Sequence, residues 1–273
     1  MLATRLTIAA TALGLAMGYA EAADILGGSN DSGAPGNCWI VTLGGYGAAV
    51  PEFPGSKNLT FSFRPVFNAY RAGEREWLTL PNDAFGLTLY QTANFRMGAA
   101  ADYLQNRDHR EDSALTGLHD IGYTAELGAF AEYYPVPFLR TRVELLQGVT
   151  GAEGFAANLM ADFIFKPDAP WLFTAGPRLR FVNTQYESEF FSISDTEAPL
   201  SGLTPYHASG GLNFAGIDAT ARYYVNENLS LRAFAEWDRL VGDAADSPLV
   251  KIKGSADQLQ FGLGAAYRFS YGP

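Results

Sequence analysis

The sequence has little positive charge and a single cysteine, and both shortages exclude classes of protein. Among 273 residues, 19 Lys and Arg stand against 29 Asp and Glu, giving a formal net charge of -10 at pH 7. A chain this acidic lacks the basic surface that neutralises a phosphate backbone. We therefore exclude nucleic acid as a partner. Cys38 is the only cysteine, which excludes an intramolecular disulfide framework.

Long apolar runs are also absent after residue 22. No apolar window of about 18 residues follows, which excludes a chain that crosses a membrane with helices. The composition, 48% hydrophobic and 18% charged, is too apolar for a disordered chain. With 29 Gly, 19 Phe and 14 Tyr, it favours sheet over helix.

The first 22 residues have the features of a secretory signal peptide. Arg5 supplies the positive start, residues 6–17 are apolar, and Ala20-Glu21-Ala22 fits the small-x-small cleavage pattern. An anchor helix fits less well, because the apolar run is shorter than the roughly 20 residues of a bilayer span. We therefore predict a signal peptide at 1–22, a flexible periplasmic tail at 23–37 and a folded domain at 38–273.

From Asn58 onward the sequence alternates between apolar and polar residues with a period of two. In residues 121–134 the odd positions are apolar, while the even positions include Glu126 and Glu132. Residues 155–166 and 257–269 repeat the pattern. Such segments, separated by Pro, Gly, Asn and Asp clusters, predict an all-β antiparallel fold.

A secreted β-sandwich would alternate in the same way and stays as an alternative, but three features favour a transmembrane β-barrel. The segments are as long as tilted membrane strands, short and long connections alternate, and aromatic residues gather at segment ends. One predicted aromatic girdle comprises Tyr133, Tyr134, Trp171, Tyr223, Tyr224, Tyr267 and Phe269, and the other comprises Trp39, Tyr103, Tyr186 and Trp237.

We predict about twelve strands, with ten as the fallback count, because single-chain bacterial barrels have an even number. The predicted strands are 38–48, 58–70, 75–80, 84–91, 93–104, 120–134, 138–148, 155–166, 171–184, 206–225, 228–240 and 257–269. Short periplasmic turns and longer extracellular loops, at 105–119, 185–205 and 241–256, follow from this count. Residues 80–83 either separate two strands or kink one.

The polar face of these strands predicts a charged lumen. The inward arginines are Arg64, Arg96, Arg140, Arg142, Arg178, Arg180, Arg222, Arg232 and Arg268, and the inward carboxylates are Asp102, Glu126, Glu132, Glu144, Asp162, Asp218, Glu236 and Asp238. An uncompensated buried ion is costly, so we expect a network of Arg-carboxylate pairs that fills the lumen. The alternative is an open, charge-lined channel for small polar solutes.

Three segments have a distinctive sequence. They are Leu118 to Gly128, Ser201-Gly202-Leu203 with Tyr206, and the loop from Gly242 to Val250, which includes Asp243, Asp246, Ser247 and Pro248. Together these segments resemble the MipA/OmpV family, the MltA-interacting outer-membrane proteins. The resemblance implies a barrel in the outer membrane of a Gram-negative cell envelope. It also implies a scaffolding role in peptidoglycan turnover, between a murein transglycosylase and a murein synthase. A narrow channel or an envelope-stress role stays as an alternative.

A catalytic role has little support in the sequence. The histidines are His109, His119 and His207, and no spacing pairs one of them with a serine, so an outer-membrane hydrolase using His207 and Asp195 is a remote alternative. We find no Cys/His zinc pattern, phosphate-binding glycine loop or cofactor fingerprint, and predict no metal, cofactor or catalytic residue. The acidic loops lie where they would meet outer-membrane lipid and lipopolysaccharide, and could share divalent cations with its phosphates.

Overall fold

The chain forms one curved antiparallel sheet of eleven strands. The computed structural model describes residues 38–110, 112–167 and 169–272, so the predicted signal peptide and tail lie outside the described residues. The strands are β1 (Trp39–Pro51), β2 (Leu59–Arg71), β3 (Phe85–Gln91), β4 (Phe95–Leu104), β5 (Thr124–Val136), β6 (Leu139–Gly148), β7 (Gly154–Phe165), β8 (Trp171–Val182), β9 (Gly211–Tyr224), β10 (Leu229–Leu240) and β11 (Asp257–Tyr271). Among the described residues, no helix combines the length and the apolarity needed to cross a membrane.

The sheet curls into a nearly closed barrel. The strand order is β2-β1-β11-β10-β9-β8-β7-β6-β5-β4-β3, so β2 and β3 are the two edges. The first and last strands pair along their length, with Trp39 opposite Tyr271 and Ala49 opposite Phe261. The prediction of an all-β antiparallel barrel is confirmed.

The three longest connections of the described chain lie at one end of the barrel, and four short ones lie at the other. Four short connections, 92–94, 137–138, 166–170 and 225–228, define what we call the turn end. The predicted long loops fall at the other end, the loop end, within 105–123, 183–210 and 241–256. Trp39 begins β1 at the turn end, and Tyr186 is buried in a helix of the loop end, so placing both in a loop-end girdle was wrong.

The described residues form eleven strands, one fewer than the predicted count of about twelve and one more than the fallback of ten. Residues 75–80 form no strand, because residues 72–84, which we call the inner segment, leave the wall and enter the lumen. Trp77, Leu78 and Leu80 pack there against Tyr134, Ile164 and Leu172. The inner segment returns the chain toward the loop end before β3 begins, and as a result β2 and β3 run in the same direction.

The outward side chains of the wall are apolar. Phe61, Phe63, Leu87, Leu89 and Leu263 are each more than half exposed, whereas the alternate positions face the lumen and carry most of the charge. This division between an apolar outer face and a polar interior is the surface pattern of a membrane barrel, in which lipid covers the outer side chains.

The long connections fold over the loop end. They contain helices α1 (Thr184–Phe191), α2 (Ala198–Ser201) and α3 (Gly242–Asp246), and a single π-helical turn at Leu249–Lys253. The side chain of Asn183 caps α1 by accepting from the Tyr186 amide at 3.0 Å. Buried side chains of α1, including Phe190 and Phe191, pack with Leu240 and Val250, so residues 105–123, 183–210 and 241–256 form one apolar layer, the loop-end cap.

Candidate functional site in the charged lumen

Arg140 is the centre of the ion-pair network in the lumen. Its guanidinium is fully buried and donates to Asp83 at 2.7 Å and to both Glu132 and Asp162 at 2.8 Å. Asp162 lies directly opposite Arg140 on the neighbouring strand, so the register of β6 and β7 sets this pair. The three carboxylates use the planar fork of donors of one guanidinium, and their excess negative charge is offset by the other arginines that bind Glu132 and Asp162.

Glu132 receives three arginines. Its Oε2 accepts from Arg96 at 3.0 Å, from Arg140 at 2.8 Å and from Arg142 at 3.1 Å. Arg142 also donates through Nε to Glu144 at 2.7 Å. These side chains are almost fully excluded from solvent. A buried charge is costly unless it is paired, and each of these charges has a partner of opposite sign.

A second group of pairs lies on β8. Arg178 donates to Asp162 at 2.6 Å and to Asp218 at 3.1 Å, which joins this group to the first. Arg180 of β8 donates to Glu126 of β5 at 2.7 Å. Because β6 and β7 lie between these two strands in the sheet, this pair crosses the lumen. The network therefore connects strands that are not neighbours in the sheet.

Seven of the predicted lumen residues are not in these two groups. Arg222 and Arg268 both approach Glu76 of the inner segment, at 3.9 and 3.5 Å. The other five form no Arg-carboxylate pair within 4.0 Å in the described part of the chain, and they are Arg64, Asp102, Arg232, Glu236 and Asp238. Arg232 donates to Ser230, and Arg64 donates to Asn82 and Gln260.

The inner segment is held by the arginines of the wall, and sequence reasoning missed it. Besides the bond to Asp83, Arg96 donates to the Leu78 carbonyl at 3.3 Å, Arg142 to that of Ala84 at 2.9 Å and Arg222 to that of Thr79 at 3.2 Å. The Ala84 amide donates to Glu144 at 3.0 Å. The signal was Pro81-Asn82-Asp83, a strand-breaking sequence that places an acid within reach of the wall.

A cavity of about 800 Å³ extends through the lumen beside the inner segment. Its wall includes Asn82 and Asp83 of the inner segment, Tyr186 of the loop-end cap, and Glu236 and Asp238 of β10. This space is large enough for a small solute or part of a lipid.

The loop that carries the family resemblance helps to build the loop-end cap. Gly242 begins α3 with a φ of 56°, a left-handed conformation that favours glycine. Asp243 accepts from the Ser209 amide at 2.7 Å, and the buried Ser247 hydroxyl donates to the Phe191 carbonyl at 2.7 Å. Asp246 pairs with Lys251 at the surface, and Pro248 precedes the π-helical turn. These contacts fix α3 against α1 and β9.

Ser194, Glu197 and His119 of the loop-end cap do not have the order of a serine hydrolase. The Ser194 hydroxyl donates to Glu197 at 2.6 Å, and His119 Nδ1 lies 2.7 Å from the other oxygen of Glu197. The carboxylate therefore lies between the serine and the imidazole, whereas general-base activation needs the imidazole beside the hydroxyl. Burial alone would raise the pKa of Glu197, but the hydrogen bonds from Ser194 and His119 lower it to about 2.

Asp108, His109 and Asp120 offer ligand atoms within 4.8 Å of one another on the same surface. His109 Nδ1 already lies 2.8 Å from Asp120, and Arg110 donates to both oxygens of Asp108. The hydrogen bonds from Arg110 lower the pKa of Asp108 to about 2. These contacts tie together the two ends of the connection between β4 and β5.

Glu187 makes the loop-end cap sensitive to pH. Burial raises the pKa of this α1 carboxyl to about 7, despite a hydrogen bond from Asn213 at 2.9 Å. Because the folded pKa lies above the ordinary value of 4.5, the protonated form favours folding, and stability is lost as the pH rises from about 4.5 through 7. We expect the melting temperature to fall between pH 5 and pH 8 in the wild type, and to fall less in Glu187→Gln. An equal fall in both proteins would contradict this assignment.

Comparison with known proteins identifies the family. A family model described as "MltA-interacting protein MipA" matches residues 43–269. No curated protein matches the chain. Among solved structures, the N-terminal β-barrel domain of Pseudomonas aeruginosa OprF is similar over 85% of this chain and 98% of its own, with 11% identity and a TM-score of 0.29. An outer-membrane channel from Pseudomonas putida is similar over 86% and 97%, with 10% identity and a TM-score of 0.40. Because the family model covers most of its length, the chain belongs to the MipA family.

Proposed function

We propose that the protein is a structural barrel of the outer membrane that binds a murein transglycosylase and thereby links the membrane to peptidoglycan synthesis and turnover. The observation that carries the proposal is the inner segment: with the arginines that hold it, this segment occupies part of the lumen that a wide solute channel would need. The description of the family supports the choice of partner, since it names an interaction with MltA.

In this proposal the turn end faces the periplasm and meets the transglycosylase. Glu74 and Glu227 are exposed there. We expect the purified barrel to capture a murein transglycosylase, and the double variant Glu74→Lys and Glu227→Lys to capture less of it. The matched control is Glu153→Lys with Glu189→Lys, since these acids belong to loop-end connections. Equal capture by both double variants would argue against a turn-end interface.

A narrow channel is the second candidate, and the cavity of about 800 Å³ is the observation that favours it. Conductance in a planar bilayer separates the two functions, after heat-modifiable gel migration has shown that the barrel is folded. We expect a folded barrel without single-channel steps, because the ion pairs hold the inner segment in the lumen. Reproducible steps from the wild-type protein would replace the structural role with the channel.

A further inference from the structure

The barrel has a seam between β2 and β3. These strands are the two edges of the sheet, and in the described residues neither outer edge belongs to a ladder. They run in the same direction because the inner segment separates them. One side chain bridges the seam near the loop end, where the Tyr103 hydroxyl donates to the Phe63 carbonyl at 3.1 Å. An unpaired edge facing hydrocarbon is costly, so this gap is the place where a ligand gains most by binding.

The cavity reaches both edges of this seam. Its wall includes Arg64 on β2 and Thr88 on β3, which point inward. It also includes Phe67 and Leu87 of the same two strands, which point outward and are 56% and 66% exposed. The cavity therefore adjoins the one place in the described sheet where neighbouring strands are not joined by a ladder.

Two carboxyl groups in the same cavity have unused oxygens. Glu236 and Asp238 are 4% and 6% exposed and lie two positions apart on the inward face of β10. In the described part of the chain, Glu236 Oε2 and Asp238 Oδ1 have no hydrogen-bond partner. Two buried carboxylates on the same face of a strand repel each other, and a proton or a cation between them removes this repulsion.

The arginines near this acidic pair have other partners. Arg178 is bound to Asp162 and Asp218, and Arg180 to Glu126 and Asn158. Arg64 is bound to Asn82 and Gln260, which are neutral, so its charge still acts on Glu236. One positive charge offsets one of the two carboxylates, and the pair therefore complements one further positive group that enters the cavity.

We propose that the seam is a lateral entrance for a single-chain amphiphile with a cationic headgroup. The head lies beside Glu236 and Asp238, and the hydrocarbon chain lies between β2 and β3, next to Phe67 and Leu87. The bound chain replaces the lipid that would otherwise meet the open edges. This binding activity is independent of the proposed interaction with a transglycosylase.

Trp77 provides the probe of this proposal. It lines the cavity and is 5% exposed, whereas Trp39, Trp171 and Trp237 are 40 to 43% exposed on the wall. In the background Trp39→Phe, Trp171→Phe and Trp237→Phe, fluorescence reports on Trp77 alone. The ligands are ω-bromoundecyltrimethylammonium and, as the matched anion, ω-bromoundecanoate, added to the barrel in bilayer nanodiscs. Trp77 lies beside both seam strands, because its Nε1 donates to Gln91 of β3 at 3.1 Å and its carbonyl accepts from Asn68 of β2 at 3.4 Å. Bromine quenches tryptophan at short range, so quenching of Trp77 requires the brominated end of the chain to lie in the seam.

We expect saturable quenching by the cation, at least about tenfold stronger than by the anion. Glu236→Gln with Asp238→Asn should remove this preference. Thr88→Phe, which places a ring in the seam, should weaken quenching, while Ala157→Phe on the outward face of β7 should not. Equal quenching by the two ligands, a preference that survives the double amide variant, or no effect of Thr88→Phe would overturn the proposal. If the tryptophan background fails to fold, native mass spectrometry of the wild-type barrel and the same single-site variants measures the two affinities directly.

Discussion

Arg140→Ala is expected to lower the free energy of unfolding of the barrel by about 3–5 kcal/mol. The substitution leaves Asp83, Glu132 and Asp162 around an empty site, and all three are almost fully buried. Glu132 keeps Arg96 and Arg142, and Asp162 keeps Arg178, but Asp83 loses its only salt bridge in the described chain. Removing one member of a buried network costs more than the net contribution of the intact pair, because the remaining charges stay desolvated. Urea unfolding of the barrel in lipid vesicles measures the change.

The control for Arg140 is an ion pair of the same type at the surface. Arg239 donates to Asp257 at 2.8 Å, and their side chains are 55% and 51% exposed. Because water screens this pair, Arg239→Ala should cost no more than about 1 kcal/mol. If the two substitutions cost the same, the lumen network contributes nothing special to stability, and its arginines are available for a transport role.

The second large effect is expected from the inner segment. Trp77→Ala with Asp83→Ala removes an apolar anchor, which packs on Tyr134, and an ionic anchor, which binds Arg140. Loss of a buried tryptophan costs about 3–5 kcal/mol on its own. We expect the released segment to leave the lumen part of the time, so that a silent barrel shows single-channel steps in a planar bilayer.

Trp237→Ala with Asp257→Ala is the matched control, because it changes the same residue types on the outside of the barrel. Trp237 is 43% exposed on β10, and Asp257 belongs to the surface pair described above. This control should remain silent. A double variant of the inner segment that migrates as a folded barrel and conducts no ions would mean that other groups close the lumen.

The alternation of side chains predicted the barrel because each wall strand meets lipid on one face and polar groups on the other. The same pattern misled at residues 75–80, where Trp77 and Leu78 are buried and face protein instead of lipid. Periodicity shows that the surroundings of successive side chains alternate, but it does not show whether lipid or protein surrounds the apolar ones. The sequence could therefore not distinguish a twelfth strand from a segment inside the lumen.

The inward position of the charged residues followed from the pattern, whereas their pairing did not. Arg140 meets Asp162 through the register of two adjacent strands, and Arg180 meets Glu126 across the lumen. Glu236 and Asp238 lie two positions apart on one strand, and neither has an arginine partner within 4.0 Å in the described residues. Stagger, tilt and closure of the barrel decide these contacts, and no single segment contains that information.

The inner segment also constrains the order of assembly. It enters the lumen from the β2 side and is held by arginines of β4, β6 and β9, so the wall cannot finish curling until the segment has been enclosed. Closure then depends on the pairing of β1 with β11, the two strands most distant in sequence. Contacts between distant parts of a chain form slowly, because loop-closure entropy is lost before they are made. We therefore expect the sheet to close around this segment, and a chain whose inner segment is damaged to stall as an open, membrane-bound sheet.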